Sequence, residues 1–312
     1  MSTARNIPSD RGLTLRMFTT GLLLVVLYGA VVGLLIAFGV STVAVLVFAA
    51  IILFVQYWFS DRIALFGMGG RLVTPEEEPR LHGVIDRLCA LADMKKPRVA
   101  IANTDVPNAF ATGRSPDTAV VCATRGLLRR LDEAELEAVL AHELSHVAHR
   151  DVAVMTIASF LGVVAGLITR IMFWTGMMGG FGNNRGGNNN GGNDNAALVE
   201  LGVLVVSVVV YAISFLLTRA LSRYRELAAD RSGALLTGQP SALASALVKV
   251  TGDLSRIPTR DLRAAESFNA FYFTPAIAGR GVSLSTIFST HPSLDTRLAQ
   301  LARIEAELGR PS

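Results

Sequence analysis

Two histidines four residues apart are the residues of this sequence best placed to do chemistry. They are His142 and His146, in the segment His-Glu-Leu-Ser-His. On an α-helix, residues i and i+4 lie on one face, about 6 Å apart along the axis, so both imidazoles can reach one metal ion. Glu143 lies about 100° further around the helix, where its carboxylate can act as general base on a water held there. The alternative is two exposed helix histidines beside an ordinary acidic residue.

A catalytic zinc ion takes three protein ligands and keeps a fourth position for water, so the histidine pair needs a third partner. The extended pattern H-E-x-x-H-x-x-G-x-x-H would place a histidine at residue 152 and a glycine at residue 149. The sequence has Val152 and His149 instead, which excludes that class. A glutamate on a later helix is the other arrangement, and Glu226 is the leading candidate.

Glu226 and Asp230 lie one helical turn apart, in the segment Glu-Leu-Ala-Ala-Asp, so their carboxylates share one helix face. Asp230 can accept a hydrogen bond from the spare ring N–H of a ligand histidine and so fix its tautomer. Both residues also have simpler interpretations. Glu226 could balance the neighbouring surface arginines, and Asp230 could pair with Arg231.

The histidine pair needs a helix beneath it, and the sequence predicts one. Asp132 is a suitable N-cap, and Glu135 three residues later completes a capping box. Apolar residues then recur at helical spacing to about His149. An earlier amphipathic helix is predicted after Thr74, from an N-cap, a proline at the first helical position and the capping-box residue Glu77.

Short stretches rich in β-branched residues predict a small sheet beside these helices. Residues Arg98–Ala102 and 118–123 read as strands, with 108–113 between them as an edge strand. An extended substrate could add itself to this edge through main-chain pairing, with little sequence preference. The residues of the predicted substrate-binding segment are Asn108, Ala109, Phe110, Ala111, Thr112 and Gly113.

His291 has two interpretations of equal weight. It could donate to the oxyanion that forms during hydrolysis, which makes it a second catalytic candidate. Equally, His291-Pro292-Ser293 could be the turn and N-cap before a helix over residues 294–308.

The composition is that of a membrane protein. Apolar residues make up 51% of the 312 residues and charged residues only 17%, which is too apolar for ordinary globular packing. The uncharged stretches 17–38 and 39–60 are each long enough to cross about 30 Å of hydrocarbon, which takes about 20 helical residues. Residues 152–174 and 197–217 are two further predicted spans with polar interruptions. A cleaved signal peptide is the rival interpretation of the first stretch, but that apolar run is too long.

Lys and Arg are retained on the cytoplasmic side of a membrane, and they predict the topology. An N-terminal segment with spans 1 and 2 covers residues 1–60. Spans 3 and 4 with an outer loop cover residues 152–217. The two cytoplasmic catalytic parts are residues 61–151 and 218–312. The loop contains a Gly/Asn-rich tract, 176–195, which is flexible by composition. If the metal-binding helix runs on into span 3, the site lies roughly 9 Å from the bilayer.

Two features exclude other classes of protein. The net charge of +4 and the pI near 9.4 come from scattered basic residues without a basic patch among aromatic ones, so no nucleic-acid partner is predicted. Cys89 and Cys122 lack CxxC spacing, so they are predicted to be buried small apolar side chains. The sequence says nothing about the oligomeric state.

Four segments together resemble one family. They are His-Glu-Leu-Ser-His-Val-Ala-His-Arg-Asp at 142–151, Asn-Ala-Phe-Ala-Thr-Gly at 108–113, Arg-Glu-Leu-Ala-Ala-Asp at 225–230 and Ser-Thr-His-Pro-Ser at 289–293. In order and content they resemble the HtpX-type membrane zinc metalloproteases, relatives of the CAAX prenyl endopeptidases, along most of the chain. The long Gly/Asn-rich loop departs from that family.

The resemblance implies an α+β, mainly helical protein with four transmembrane helices and a cytoplasmic zincin-like domain of the HExxH-plus-glutamate type. It implies that His142, His146 and Glu226 bind one Zn²⁺ per chain and that Glu143 is catalytic. It also implies a stress-response endopeptidase of the plasma (inner) membrane, with both termini and the active site in the cytoplasm. Its expected partners are the lipid bilayer and unfolded, misfolded or damaged membrane proteins. A CAAX-type prenyl-protein peptidase and a non-enzymatic membrane metal-binding scaffold are the alternatives.

Overall fold

The computed structural model of the chain describes residues 18–27, 57–113, 115–151, 193–254 and 291–309, with residues 154 and 155 and scattered positions between 15 and 55. Most of the first three predicted spans and of the Gly/Asn-rich tract therefore lies outside the described residues. Within those residues, no helix combines the length and the apolar character needed to cross a membrane.

A mixed sheet lies at the centre of the described structure. Its strands are β1 (Gly70–Leu72), β2 (Arg98–Ala102), β3 (Ala109–Thr112) and β4 (Val120–Thr124), in the spatial order β1-β2-β4-β3. β2 and β4 run parallel in the middle, with Arg98 opposite Val120, while β1 and β3 pair antiparallel at the two edges. The two central strands are buried almost throughout, which is typical of parallel strands covered on both faces.

The sequence predicts three of these strands. The prediction of β2 is confirmed at both ends, and the predicted edge strand 108–113 contains β3, which does lie at an edge. The predicted strand 118–123 starts too early, because residues Pro116–Thr118 form a 3-10 turn closed by a capping box from Ser115. β1 is not predicted, because three residues are too few to show an alternating pattern.

Helices cover the sheet on both sides. In chain order they are α1 (Ser60–Gly67), α2 (Pro79–Ala92), α3 (Arg125–Arg130), α4 (Glu133–Ala148), α5 (Asn193–Thr237), α6 (Pro240–Leu254) and α7 (Leu294–Leu308). One face of the sheet packs against α2 and α4 in a core that also includes parts of α5, α6 and α7, and α1 packs on the other face. The fold is thus mainly helical with a small mixed sheet, as the sequence predicts.

The helix that carries the histidine pair begins where the sequence predicts. The Asp132 carboxylate accepts a hydrogen bond from the Glu135 N–H at 2.9 Å, and the Glu135 carboxylate accepts one from the Asp132 N–H at 3.1 Å. Glu135 is buried, and its carboxylate also accepts from the Ser245 hydroxyl at 2.6 Å and pairs with Lys249 at 2.5 Å. The cap of α4 therefore also ties α4 to α6.

The earlier helix starts later than predicted. Residues 74–77 form a turn in which the Glu77 carboxylate accepts from the Thr74 N–H at 3.0 Å, and α2 begins at Pro79. Proline disfavours the α conformation in the residue before it, and Glu78 stays outside the helix with φ −137° and ψ 66°. The prediction of Thr74 as the N-cap is wrong for this reason.

α4 does not continue into the predicted third span. It ends at Ala148, His149 is its C-cap, and Arg150 has a left-handed conformation with φ 56°. This conformation costs a non-glycine residue roughly 1–2 kcal/mol, so other contacts must hold the turn. The helix thus ends where the sequence predicts, at about His149. The condition that it runs on into span 3 is not met, so the distance of the site from a bilayer no longer follows from it.

Cys89 and Cys122 are both free and buried. Burial raises the pKa of the Cys89 thiol to about 11 and that of the Cys122 thiol to about 12. Both thiols are therefore protonated at neutral pH and pack as small apolar side chains. The prediction for both residues is confirmed.

α5 approaches α4 so closely that the two backbones are in contact. A Cβ atom on Gly233 would lie 2.8 Å from the backbone N of His142 and 3.1 Å from its Cα. Only glycine fits this position without moving a helix. Gly233 therefore sets the distance between the helix that carries the histidines and the helix that carries Glu226.

Gly233→Ala is expected to destabilise the protein by roughly 1–3 kcal/mol, because the added methyl group must push the two helices apart. Gly83→Ala on α2 is the matched control, since no described atom lies within 4 Å of its Cβ position. Replacing that exposed helix glycine is expected to stabilise by about 0.5–1 kcal/mol. Denaturant unfolding of both variants in detergent micelles measures the difference, and equal stabilities would contradict the tight contact.

Candidate active site

The two histidines of α4 direct their ring nitrogens toward each other. Their Nε2 atoms lie 3.2 Å apart, and their ring planes are nearly perpendicular, at 86°. His142 is fully buried and His146 is partly buried. The structure thus brings the pair together on one helix face, as their spacing predicts.

Glu226 on α5 completes a cluster of three side chains. Its carboxylate oxygens lie 3.4 Å from His146 Nε2 and 3.8 Å from His142 Nε2. One potential ligand atom from each residue lies within 4.8 Å of the others, and no second trio of His, Cys, Asp or Glu side chains converges in this way within the described residues. The interpretation of Glu226 as a surface residue balancing nearby arginines is not supported, because it is buried.

Asp230 lies behind His142. Its Oδ1 is 2.9 Å from His142 Nδ1, so Nδ1 is the ring nitrogen that carries the proton, and Nε2 presents its lone pair to the cluster. Arg297 on α7 donates to the Asp230 carboxylate from Nε at 2.7 Å and from Nη2 at 2.5 Å. Burial alone would raise the pKa of Asp230, but the Arg297 guanidinium outweighs it and holds the pKa below its usual value. Arg231, the other possible partner of Asp230, instead pairs with Glu307 at 3.3 Å.

His146 has an equivalent partner that the sequence analysis misses. Asp151 Oδ2 lies 2.6 Å from His146 Nδ1, and Arg225 on α5 pairs with the other oxygen of this carboxylate. Asp151 and Arg225 are both buried. The left-handed turn at Arg150 brings Asp151 back to the end of α4. Each histidine is therefore backed by an aspartate, and each aspartate by a buried arginine.

The pKa values of the two histidines move in opposite directions. Burial lowers the pKa of His142. Burial also acts to lower the pKa of His146, but the hydrogen bond and charge of Glu226 outweigh it and leave that pKa raised. The pair can therefore share one proton in the gap between its Nε2 atoms, and without that proton two lone pairs face each other.

The three side chains fit a divalent metal ion. With both Nδ1 atoms directed at aspartates, two Nε2 lone pairs and a carboxylate converge on one point. Tetrahedral zinc with bonds of about 2.0–2.1 Å needs ligand atoms roughly 3.3 Å apart, and the three distances here are 3.2, 3.4 and 3.8 Å. His142, His146 and Glu226 are thus the residues that would hold the ion.

His291 lies against Glu226. Its Nδ1 is 2.9 Å from Glu226 Oε2, and the residue is buried. Burial would raise the pKa of Glu226, but His291 and His146 hold it well below its usual value, so the carboxylate is ionised. The other interpretation of this segment is confirmed, because Ser293 is the N-cap of α7 and accepts from the Thr296 N–H at 3.3 Å.

Glu143 is buried beside the cluster, and its carboxylate meets the edge strand. The Ala111 N–H on β3 donates a hydrogen bond to this carboxylate. Burial raises the pKa of Glu143 to about 8, although the charge of His146 and the Ala111 N–H act to lower it. A carboxyl group with a pKa near neutrality can both accept and release a proton at physiological pH.

The side chains of the predicted substrate-binding segment are mostly structural. Asn108 is fixed to Thr124, whose Oγ1 accepts from the Asn108 N–H at 2.9 Å and whose N–H donates to the Asn108 carbonyl at 2.9 Å. Phe110 is buried in the core on the α1 side of the sheet, and Thr112 is buried as well. Gly113 has φ 122°, which only glycine adopts readily.

The backbone of β3, by contrast, faces the cluster. The Ala111 N–H points to Glu143, and therefore away from β4. Backbone groups of residues two apart in a strand point the same way, so those of Ala109 also lie on the open edge. The structure thus brings the main chain of this segment to Glu143, and not its larger side chains.

The chain is similar to known proteases along almost its whole length. A model described as Peptidase family M48 matches residues 75–305. Protease HtpX homolog 1 of Streptomyces coelicolor is 62% identical, and the match covers 96% of this chain and 95% of the relative. The Protease HtpX homolog of Moorella thermoacetica is 54% identical over 97% and 98%. The crystal structure of S. mikatae Ste24p is similar with a TM-score of 0.49 and 17% identity, over 94% of this chain and 67% of that one.

Asp151→Asn is expected to weaken zinc binding by roughly 10- to 100-fold, because the carboxylate orients the imidazole of His146 and increases its basicity. Competition with a coloured zinc chelator measures the affinity. Asp86→Asn is the control, since Asp86 is exposed on α2 and pairs only with Lys96 in the described structure. Equal zinc affinities of the two variants would contradict a role for Asp151.

Proposed function

The chain belongs to peptidase family M48 and is a metalloprotease, and from this premise we propose that it is an integral membrane zinc endopeptidase. Its proposed substrates are unfolded polypeptides and misfolded or damaged membrane proteins. We place cleavage at the cytoplasmic face of the plasma (inner) membrane. The observation that carries the proposal is the convergence of His142, His146 and Glu226 beside the buried Glu143.

In this proposal His142, His146 and Glu226 hold one Zn²⁺ per chain. Asp230 and Asp151 keep the two imidazoles in the tautomer whose Nε2 faces the ion, and the distances of 2.9 and 2.6 Å to the Nδ1 atoms support this. When bound, the ion would supply a Lewis acid that activates water and polarises the scissile carbonyl.

Glu143 is the proposed general base and acid. It takes a proton from the attacking water and passes it to the leaving amine. The raised pKa of about 8 supports this exchange, because a carboxyl group that ionises near neutrality can both accept a proton and release it at physiological pH. His291 is the proposed donor to the oxyanion through Nε2. This role requires a ring protonated on both nitrogens, because Nδ1 already faces the Glu226 carboxylate.

The open edge of β3 is the proposed substrate site. A peptide in extended conformation would pair with the backbone groups of Ala109 and with the Ala111 carbonyl, because the Ala111 N–H already donates to Glu143. Because such pairing uses hydrogen bonds to the main chain of the substrate, it supports broad specificity, as protein quality control requires.

The membrane part of the proposal rests on sequence. Two uncharged stretches, 17–38 and 39–60, and two further apolar ones would cross the bilayer. The excess of Lys and Arg next to them supports cytoplasmic termini and a cytoplasmic site.

Glu143→Gln is expected to lower the rate of casein cleavage by roughly 10²- to 10⁴-fold, because the base is lost while the shape is kept. Metal analysis should still find one zinc ion per chain, since Glu143 is not a proposed ligand. Glu133→Gln, an exposed change on the same helix, should retain activity. Full activity of Glu143→Gln would end this mechanism.

A farnesylated CAAX peptide assayed beside unfolded casein separates two substrate classes that share this chemistry. Casein is expected to be cleaved faster. Cleavage of the prenylated peptide alone would favour the CAAX-type alternative. Zinc binding without cleavage of either would favour a non-enzymatic scaffold.

A reporter fused within residues 183–195 is expected to behave as extracytoplasmic, because the tract lies between two predicted spans. The same reporter fused after Ser312 should behave as cytoplasmic. Cytoplasmic behaviour of the loop fusion would contradict the proposed topology.

A further inference from the structure

Parts of three predicted spans meet in one small apolar cluster. Its centre is Leu24 and Leu221, each only 3% exposed, and Met155 and Leu217 pack against them. Leu24 belongs to the first predicted span, where residues 18–27 are helical. Leu221 follows the fourth predicted span on α5, and Met155 lies near the start of the third. The cluster, which we call the Leu24 cluster, is separate from the core around the sheet.

On α5 the Leu24 cluster lies one helical turn before the arginine that pairs with Asp151. Leu221 and Arg225 are four residues apart, so their side chains lie on the same helix face. Both residues are buried. The buried face of α5 therefore changes here from an apolar side chain to a charged one.

The same spacing recurs in the segment that follows α4. Asp151 and Met155 are four residues apart, and the Val154 N–H donates to the Arg150 carbonyl at 3.3 Å, which is the hydrogen bond of a helical turn. Met155 packs against the Leu24 cluster, and Asp151 pairs with Arg225. The two helical segments thus meet through an apolar contact in one layer and an ion pair in the next.

The position of Asp151 depends on these contacts, because the turn before it is unfavourable. Arg150 has φ 56°, a left-handed conformation that a non-glycine residue keeps only where its surroundings hold it. α5 holds the turn through Arg225, which donates to the His149 carbonyl at 3.5 Å and pairs with Asp151. If the apolar layer loosens, the segment can shift, and the 2.6 Å contact of Asp151 with His146 Nδ1 shifts with it.

We propose that Leu24 is a positioning residue of the metal site, which acts through Met155 and Asp151 on His146. The inference rests on the zinc site given under Proposed function. Leu24 supplies the third side of the cluster, and its removal would leave a space into which Met155 can move. The first predicted span thereby contributes to the chemistry through packing alone.

The two histidines are expected to respond differently to a change at Leu24. His142 is oriented by Asp230, which Arg297 on α7 holds, and these side chains are not members of the Leu24 cluster. A change at Leu24 should therefore act on the His146 half of the site alone. This asymmetry separates a positioning role from a general loosening of the fold.

A double-mutant cycle on zinc affinity tests the proposal. The full chain is placed in phosphatidylcholine nanodiscs, and competition with a coloured chelator gives the dissociation constant. Leu24→Ala is expected to weaken zinc binding roughly fivefold, as packing changes at a distance from a site can do. With Asp151→Ala the same change should have no further effect, because the side chain that transmits it is absent. With Asp230→Ala it should keep its full effect.

Two further variants at neighbouring or identical positions serve as controls. Leu23→Ala makes the same truncation at a side chain that is 49% exposed, and it should leave the zinc affinity unchanged. Leu24→Met keeps the buried volume, so it should bind zinc as the unmodified protein does. Where a truncation prevents folding, Leu24→Val and Asp151→Asn preserve the same cycle.

The remaining outcomes separate this inference from the function on which it rests. Absence of zinc from the unmodified protein would overturn the proposed function and the inference with it. With zinc bound, equal affinities of Leu24→Ala and Leu23→Ala would overturn the positioning role alone. The same conclusion would follow if the effect of Leu24→Ala persisted with Asp151→Ala, because Leu24 would then act by loosening the packing in general.

Discussion

Two imidazole nitrogens held 3.2 Å apart with a carboxylate beside them form a contact that is stable only with positive charge in the gap. Neither ring can relieve it by turning, because each Nδ1 already faces an aspartate. A shared proton can occupy the gap, and the hydrogen bond and charge of Glu226, which raise the pKa of His146 against the effect of burial, favour a proton there. A divalent cation satisfies all three groups at once. The arrangement is therefore selective for a cation before any ion has bound.

The buried charged residues around the gap position the ligand side chains more than they stabilise the fold. Glu226, Asp230, Arg297, Asp151 and Arg225 are all buried, and moving an ion out of water costs several kcal/mol, which a good partner only roughly repays. The ion pairs fix the positions of the two imidazoles and of the helices that carry them. The chain of contacts from His142 through Asp230 to Arg297 joins α4, α5 and α7, and the one from His146 through Asp151 to Arg225 joins the end of α4 to α5. The ligand distances thus depend on the packing of three helices, with Gly233 setting the closest approach.

Local sequence patterns predict the features of the site that lie within a single helix. The other features depend on packing between residues that are far apart in the sequence. The Asp132 cap and the spacing of His142 and His146 follow from helix geometry alone, and Glu226 follows from the need of zinc for a third ligand. Asp151 is missed because a helix-face argument assumes that the helix continues, whereas the left-handed Arg150 turns the chain back. Arg297 looks like any charged residue of an amphipathic helix, and only tertiary packing buries it. The start of α2 at Pro79 can be predicted from the sequence, since proline disfavours the α conformation in the preceding residue.

The hydrogen bond between the Ala111 N–H and Glu143 connects the proposed substrate edge to the proposed base. An added strand would find this main-chain donor already occupied, and would have to pair with the remaining open groups of β3. Backbone groups and side chains alternate in direction along a strand. An added peptide can therefore form the same hydrogen bonds with β3 only in registers that differ by two residues. One peptide bond in each permitted register would then lie next to Glu143. In this proposal β3 binds the backbone of the peptide, which permits many substrate sequences, while the position of the Glu143 carboxylate determines which peptide bond is attacked. Broad specificity and a fixed site of attack are compatible for this reason.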